Sequence, residues 1–285
     1  MLPAFKLLEP NTIEEACRIA LDTDGMFLAG GTDIFVAMHG GALFPETLIS
    51  LAKIDALRDI RKTDQGIFIG ALTPHRYFEF NQVMKTRYTA IHEGCAQVGS
   101  PQIRNRGTIG GNLCNGAPSA DSAGPLLVFD AVCVIAGAAY ERTLPLREFY
   151  LGPKKTALRK GELLKSIYLP EPVSRSASRY IKFTRRNAMD LALLGVSAYL
   201  ALDDSGGIAD ARLALTTAGP TPIRAGEAER RLIGHKPCDS LFSEAAAIAE
   251  NESLPRTSWR SSKEFRLKLV KSLTEKALRE AFERI

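Results

Sequence analysis

The chain reads Ala29-Gly30-Gly31-Thr32-Asp33 near its start and Ser100-Pro101-Gln102-Ile103-Arg104-Asn105-Arg106-Gly107-Thr108-Ile109-Gly110-Gly111-Asn112-Leu113 further on. The first stretch follows the apolar run 26–29, which predicts a buried strand, and it opens a predicted short helix over 33–39. Adjacent glycines let the backbone approach a bulky anion and direct successive N–H groups at it, and a helix N-terminus adds partial positive charge. We therefore interpret 29–33 as a phosphate or pyrophosphate cradle. The alternative is a tight turn in which Thr32 or Asp33 caps the helix.

The second glycine pair lies in a polar, glycine-rich segment, 107–124, which we predict to be a loop packed against the core. Its small side chains leave space for a flat ligand, and its polar side chains offer hydrogen bonds from Thr108, Asn112, Ser119 and Asp121. A carboxylate at Asp121 suits the hydroxyls of a sugar or a ribityl chain. A well-capped loop without a ligand is the alternative. Two glycine pairs in one domain favour one long ligand, although neither has the spacing of a Walker loop or a Gly-x-Gly-x-x-Gly fingerprint.

Composition places the chain among ordinary globular proteins. It has 285 residues, of which 45% are hydrophobic and 24% charged. The net charge of +5 is too small to predict a nucleic-acid partner, and no run of about 18 apolar residues predicts a membrane span. The N-terminus lacks the pattern of a signal peptide, so we expect a cytoplasmic protein. Five scattered cysteines without a Cys-x-x-Cys pair predict no metal site on this chain.

A proline- and serine-rich stretch, 170–176, predicts a domain boundary near residue 173. We therefore predict a first domain over 1–173, with subdomains of about 1–55 and 56–173, and a second over 174–285. In the first domain we predict helices over 13–21 and in two pieces over 74–98, broken near Asn81. Its other predicted elements are the strands 48–51, 60–63, 67–70, 131–135 and 163–169. In the second domain we predict strands over 179–184, 195–202 and 208–217, then helices over 223–233, 241–249 and from 262 onward.

The two quoted stretches closely resemble the flavin subunits of molybdenum hydroxylases, the family of the xanthine dehydrogenase FAD domain and the carbon monoxide dehydrogenase medium subunit. The resemblance covers essentially the whole chain. It implies an α+β fold, in which a p-cresol-methylhydroxylase-type FAD-binding domain of two subdomains is followed by an α+β C-terminal domain. We expect that last domain to combine a three-stranded antiparallel sheet with helices.

The resemblance also implies a site for non-covalent FAD. The pyrophosphate is expected at 28–34, the second cofactor loop at 108–112, the polyol at Asp121, and a leucine of strand 163–169 against the isoalloxazine. Lys182 matches a basic position near the flavin ring, where a cation favours the anionic reduced flavin. Without the resemblance, a solvated lysine at a strand edge is an equal alternative. The implied residues are Leu28, Ala29, Gly30, Gly31, Thr32, Asp33, Ile34, Val98, Thr108, Ile109, Gly110, Gly111, Asn112, Asp121, Leu163, Leu164 and Lys182.

The function implied by the resemblance is electron transfer within a larger enzyme. A large subunit is expected to hold the molybdenum cofactor, and a small subunit is expected to pass electrons through [2Fe–2S] clusters to the FAD of this chain. The sequence does not identify the substrate, the stoichiometry or the acceptor, which can be NAD, oxygen, a quinone or another carrier. Four arginines near the flavin motifs, at 104, 106, 185 and 186, are candidates for orienting an acidic partner, and a purely solvated role is an equal alternative for each.

Two alternatives remain open from sequence. The chain can be a stand-alone FAD-dependent reductase of the same fold, or a scaffold subunit that holds no cofactor. Relatives that reduce aromatic acyl-CoA thioesters carry an extra cysteine-rich insertion for a [4Fe–4S] cluster. The present chain has no such insertion, which argues against that branch.

Overall fold

The first unit is a three-stranded parallel sheet of order β1-β3-β2 with two helices. The structure is a computed structural model, and it describes residues 2–186 and 188–285. The elements are β1 (Lys6–Leu8), α1 (Ile13–Thr23), β2 (Met26–Leu28), α2 (Ile34–His39) and β3 (Thr47–Ser50). Thr12 caps α1 by accepting the Glu15 N–H at 3.1 Å, as the capping-box sequence predicts. Helix α1 then buries Ala16, Cys17 and Ala20 against the sheet.

The second unit is a five-stranded antiparallel sheet of order β4-β5-β10-β6-β7. The last strand of this unit along the chain lies at the centre of the sheet, where it pairs with an early strand on one side and a later strand on the other. The strands are β4 (Ile60–Thr63), β5 (Gly66–Gly70), β6 (Val132–Ala136), β7 (Glu141–Pro145) and β10 (Leu163–Pro170), with a separate pair β8 (Tyr150–Gly152) and β9 (Lys155–Thr156). The helices are α3 (His75–Phe80), α4 (Gln82–Arg87), α5 (Thr89–Ala96), α6 (Pro101–Arg106), α7 (Ile109–Asn115) and α8 (Ala123–Val128).

The third unit is an antiparallel sheet of order β11-β12-β13-β14 covered by helices. Its elements are β11 (Ser176–Phe183), β12 (Leu194–Leu202), β13 (Ile208–Thr216), β14 (Ile223–Arg224), α9 (Gly226–Leu232), α10 (Asp239–Glu252) and α11 (Lys263–Phe282). The prediction of three strands and of a helix over 223–233 is therefore wrong in one respect. The start of that segment pairs with β13 as a fourth, two-residue strand before the helix begins.

Strand β12 is buried on both faces, which explains how the third unit joins the second. Leu194, Val196 and Ala198 pack among the helices of the third unit. Tyr199, from the other face, enters the core of the second unit and lies edge-on to Phe129 at 5.6 Å between ring centroids. Burial on both faces accounts for the continuous apolar run of this strand.

Two stretches differ from their predicted structure. The segment 74–98 forms three helices rather than two, because a second break follows at Tyr88 in addition to the predicted one at Asn81. The segment 107–124 is not one long loop, since α7 and the start of α8 lie within it. In the described part of the chain, no helix is both long and apolar enough to cross a membrane.

Candidate functional site

The first glycine pair forms a turn whose backbone amides are free. Gly31 has φ +76°, a left-handed conformation that glycine adopts without strain. Among residues 2–186 and 188–285, the N–H groups of 30–34 meet no hydrogen-bond acceptor. Phe35 is the first residue beyond the turn with a helical bond, from its N–H to the Gly31 carbonyl at 3.1 Å. A row of unpaired amides at the start of a helix is the structural form of an anion cradle.

The second glycine pair is the first turn of α7 and not a Gly-Gly turn. Thr108 caps the helix by accepting the Gly111 N–H at 3.0 Å. The Gly110 N–H donates to the Ala71 carbonyl at 2.9 Å, and a Cβ at Gly110 would lie 2.5 Å from the Ala71 Cβ. Gly110 therefore allows α7 to pack against the chain after β5. Both amides of this pair are bonded within the chain, because Thr108 and Ala71 accept them.

The structure brings the two glycine pairs together. A Cβ at Gly30 would lie 2.0 Å from the Arg106 carbonyl oxygen, so only glycine fits where the first loop crosses the backbone before Gly107. A Cβ at Gly111 would lie 3.7 Å from the Ala29 Cβ. This proximity is what one long ligand spanning both loops requires.

Asp121 and Lys182 form a buried ion pair at 2.7 Å, and the exposed fractions of their side chains are 9% and 6%. Tyr180 donates its hydroxyl to the other Asp121 oxygen at 2.7 Å, and Lys182 also donates to the Gln97 carbonyl at 3.0 Å. Burial raises the pKa of Asp121, and the Lys182 ammonium opposes that rise. The alternative of a solvated strand-edge lysine is therefore wrong.

Tyr180 is a member of this cluster that the sequence analysis missed. It lies two residues before Lys182 on β11, so the two side chains point to the same face of the strand. That spacing was the signal available in the sequence. Burial and the neighbouring Asp121 raise the pKa of Tyr180 well above its usual range, so its hydroxyl remains a donor.

The two candidate leucines on β10 lie in different cores. Leu163 packs with the buried face of α1, and Leu164 packs in the core of the second unit. Each is buried, and the contact of either with a flavin ring stays a prediction. Val98, also implied by the resemblance, is half-buried, and its carbonyl accepts the Arg104 guanidinium at 3.1 Å.

Arg104 is buried and paired within the chain, which argues against both its candidate role towards an acidic partner and a solvated role. It is 9% exposed, and its Nε and Nη2 donate to the two Glu79 oxygens at 2.8 and 3.1 Å. Arg106, Arg185 and Arg186 are exposed. No group of three or more His, Cys, Asp or Glu side chains in the described part of the chain is arranged to hold a metal ion.

These features define a class: an α+β chain with an amide-lined loop of the kind that binds anions and a buried lysine–aspartate pair. Comparison with known proteins agrees with this class. The family model described as the FAD binding domain in molybdopterin dehydrogenase matches residues 3–172, and the CO dehydrogenase flavoprotein C-terminal domain matches 179–281. The chain therefore belongs to the FAD-binding subunits of molybdenum hydroxylase-type dehydrogenases. The division of 1–173 into subdomains stays a prediction.

Three relatives illustrate the similarity. The xanthine dehydrogenase FAD-binding subunit of Escherichia coli O157:H7 is 34% identical over 95% of this chain and 93% of its own length. The 6-hydroxypseudooxynicotine dehydrogenase complex subunit alpha of Paenarthrobacter nicotinovorans is 30% identical over 99% of this chain and 96% of its own. A solved carbon monoxide dehydrogenase from Hydrogenophaga pseudoflava, lacking the Mo-pyranopterin moiety of its molybdenum cofactor, superposes with a TM-score of 0.95. It is 29% identical and covers 100% of this chain and 99% of that one.

Proposed function

We propose that this chain receives electrons from [2Fe–2S] clusters of a partner subunit and passes them through FAD to an external acceptor. The observation that carries the proposal is the row of free amides at 30–34, which lies against the second glycine loop. Such a row fits a pyrophosphate, because each N–H supplies a fixed donor where the negative charge lies. The bound flavin would supply the redox chemistry.

Each part of the site has a separate task in this proposal. The backbone of 28–34 binds the pyrophosphate, Thr108 fixes the start of α7 beside it, and Asp121 accepts from the polyol hydroxyls. Asp121 has lone pairs beyond those used by Tyr180 and Lys182, so it can accept a further bond. Lys182 holds a positive charge in a buried position, which favours negative charge on a ring placed beside it.

The names of relatives support the multi-subunit part of the proposal. One is a subunit of a dehydrogenase complex, and carbon monoxide dehydrogenase relatives are called medium chains. A solved relative is a Cu,Mo-containing enzyme, 29% identical to this chain with a TM-score of 0.95. We infer that the molybdenum cofactor resides on a large partner subunit and the iron–sulfur clusters on a small one.

The cofactor site is tested by substituting one glycine of each pair. Gly31→Val places a side chain in the cradle at a left-handed φ, and Gly111→Val places one towards Ala29. We expect both variants to lose bound FAD. Gly234→Val is the matched control, because Gly234 has φ +82° and no atom within 4 Å of its ideal Cβ. Wild-type FAD content in both loop variants would refute the site.

The electron-transfer role is tested by purifying a tagged copy from its native host. We expect two other polypeptides to accompany it, with molybdenum and iron in the complex. The purified complex should reduce its flavin when substrate is added without oxygen, and the isolated chain should not. An isolated chain that oxidises NAD(P)H at a full catalytic rate would instead support the stand-alone reductase.

A further inference from the structure

An exposed aromatic patch lies at the end of the third unit, between α10 and α11. We call it the arginine–tryptophan patch and define it by Arg185, Arg256, Trp259, Arg260 and Phe265. The exposed fraction of Trp259 is 82% and that of Phe265 is 45%. A tryptophan that exposes most of its surface on a folded domain usually marks a contact site, because tryptophan dominates the energy of protein interfaces.

The patch is held in place before any partner arrives. Ser258 and Ser261 exchange two backbone hydrogen bonds, at 2.9 and 3.1 Å, and so close the turn that carries Trp259. The Arg185 guanidinium lies 4.8 Å from the centre of the Trp259 ring and that of Arg260 lies 5.7 Å away. A fixed ring loses little entropy on binding, which is what an interface anchor needs.

The positive charge of the patch is uncompensated. In the part of the chain that the structure describes, the guanidinium groups of Arg185, Arg256 and Arg260 have no carboxylate within 4.0 Å. Below them lies Arg266, which is 1% exposed; its Nη1 donates to the Leu193 carbonyl at 2.6 Å and its Nε meets no acceptor. Burial and the two neighbouring arginines, 260 and 256, lower the pKa of Arg266.

A second arginine–aromatic pair shows the contrast. Arg76 lies 4.1 Å from the ring centre of Phe80, which is 65% exposed, but Arg76 is paired with Glu79 at 3.1 Å. Glu79 also binds Arg104, so this carboxylate is shared, but Arg76 has a carboxylate partner within the chain. In the part of the chain that the structure describes, the arginines of the arginine–tryptophan patch have no such partner, so their guanidinium groups are free to pair with carboxylates of another chain.

We propose that the arginine–tryptophan patch docks an acidic segment of a partner subunit. Carboxylates of that segment meet Arg256 and Arg260, and an apolar side chain covers Trp259. The inference rests on the proposed function, because it assumes a stable complex. A second copy of this chain fits poorly, since two such patches would bring like charges together.

The position of the patch gives this docking a functional consequence. The Leu193 N–H donates to the Phe183 carbonyl at 2.8 Å, and the Phe183 ring lies 6.0 Å from that of Phe265. Phe183 directly follows Lys182 on β11. A partner bound at the patch therefore lies at the end of the strand that carries Lys182 into the candidate flavin site.

The occupant is identified by cross-linking within the native complex. A photo-reactive phenylalanine analogue replaces Trp259 in one tagged copy and Phe80 in the control copy. After irradiation, mass spectrometry of the cross-linked peptide should identify an Asp- or Glu-rich segment of a partner subunit from position 259 only. A cross-link to a second copy of this chain or to nucleic acid, or none at all from the intact complex, would overturn the proposal.

The energy of the contact is measured with Trp259→Ala and Arg260→Gln, and Phe80→Ala serves as the matched control. We expect each patch variant to weaken association with the partner subunits by at least about 10-fold, as for an interface hot spot. FAD content and thermal unfolding of the chain, which the patch does not control, should be unchanged. If both patch variants associate with the partner subunits at wild-type affinity, this proposal alone is overturned. A wild-type chain that associates with no partner would overturn the proposed function and this proposal together.

Discussion

Replacing Lys182 by methionine should destabilise the chain strongly, because it removes the counter-ion of a buried carboxylate. Lys182→Met keeps the length and apolar stem of the side chain but leaves Asp121 with Tyr180 as its protein partner. Breaking a buried ion pair by removing one partner costs about 3–5 kcal/mol. We expect a loss of that size in the free energy of unfolding, measured by urea denaturation of the flavin-free chain near neutral pH.

The second substitution separates charge from packing. Asp121→Asn removes the negative charge with little change of shape, so the double variant has no unpaired carboxylate. We expect it to be less destabilised than the sum of the two single variants, by about 1–3 kcal/mol of coupling. Lys53→Met is the control, because the Lys53–Glu9 pair at 3.2 Å is exposed on both sides and such pairs contribute about 0–1 kcal/mol.

The loss of unfolding free energy in Lys182→Met should depend on pH in a defined direction. Burial raises the folded-state pKa of Asp121 above its ordinary value of 3.8, and loss of the ammonium raises it further. A carboxyl with a raised folded pKa contributes stability at low pH that is lost as pH rises through that pKa. The loss of unfolding free energy relative to wild type should therefore be largest near neutrality and shrink as pH falls through the raised folded pKa towards the ordinary value of 3.8. Additive single variants, or a deficit that grows on acidification, would refute this reasoning.

Three further predictions follow from the same geometry. Arg142 holds the pKa of Glu162 at about 2, so Glu162→Gln should lower the free energy of unfolding by about 3 kcal/mol at neutral pH. In the wild-type protein this contribution should disappear as pH falls from about 4.5 to 2, which acid titration followed by circular dichroism will show. Burial lowers the pKa of His75 to about 4, so the free energy of unfolding of the wild type should fall as pH decreases from 6.5 towards 4. A His75→Gln variant whose urea midpoint falls with pH as steeply as that of the wild type over this range would contradict the prediction. Asp121→Ala should weaken FAD binding by about 1.5–3 kcal/mol in a fluorescence titration, whereas an unchanged dissociation constant would mean that Asp121 only neutralises Lys182.

The fold was predictable where local signals agreed with the tertiary structure. The capping box starts α1 at Ile13, and the strands predicted over 60–63 and 67–70 pair with each other as β4 and β5. The glycine loop 107–124 was harder, since a run of glycines and polar residues gives no helical periodicity. Its helix α7 is imposed by the Thr108 cap and by close packing of Gly110 on Ala71. Such tertiary contacts override a weak local propensity.

The site was predictable in its loops but not in its electrostatics. The glycine pairs stand out in the sequence, and the resemblance supplied Asp121 and Lys182. These two residues form one buried cluster with Tyr180 because β11 packs against the second unit. No local sequence pattern encodes that packing. The same holds for Arg104, whose partner Glu79 lies on a different helix. Long-range pairing of charges is a property of the packed chain.

The ratio of FAD to chain tests the central claim most directly. The wild-type protein is purified from its native host, its absorption spectrum is recorded, and the flavin is measured again after denaturation and removal of the chain. We predict one FAD per chain, all of it released, because the site that we propose at the free amides of 30–34 holds it without a covalent bond. Burial raises the pKa of the nearest cysteine, Cys114, to about 12, so its thiol is a poor nucleophile. A colourless protein, or flavin that stays on the denatured chain, would contradict the account.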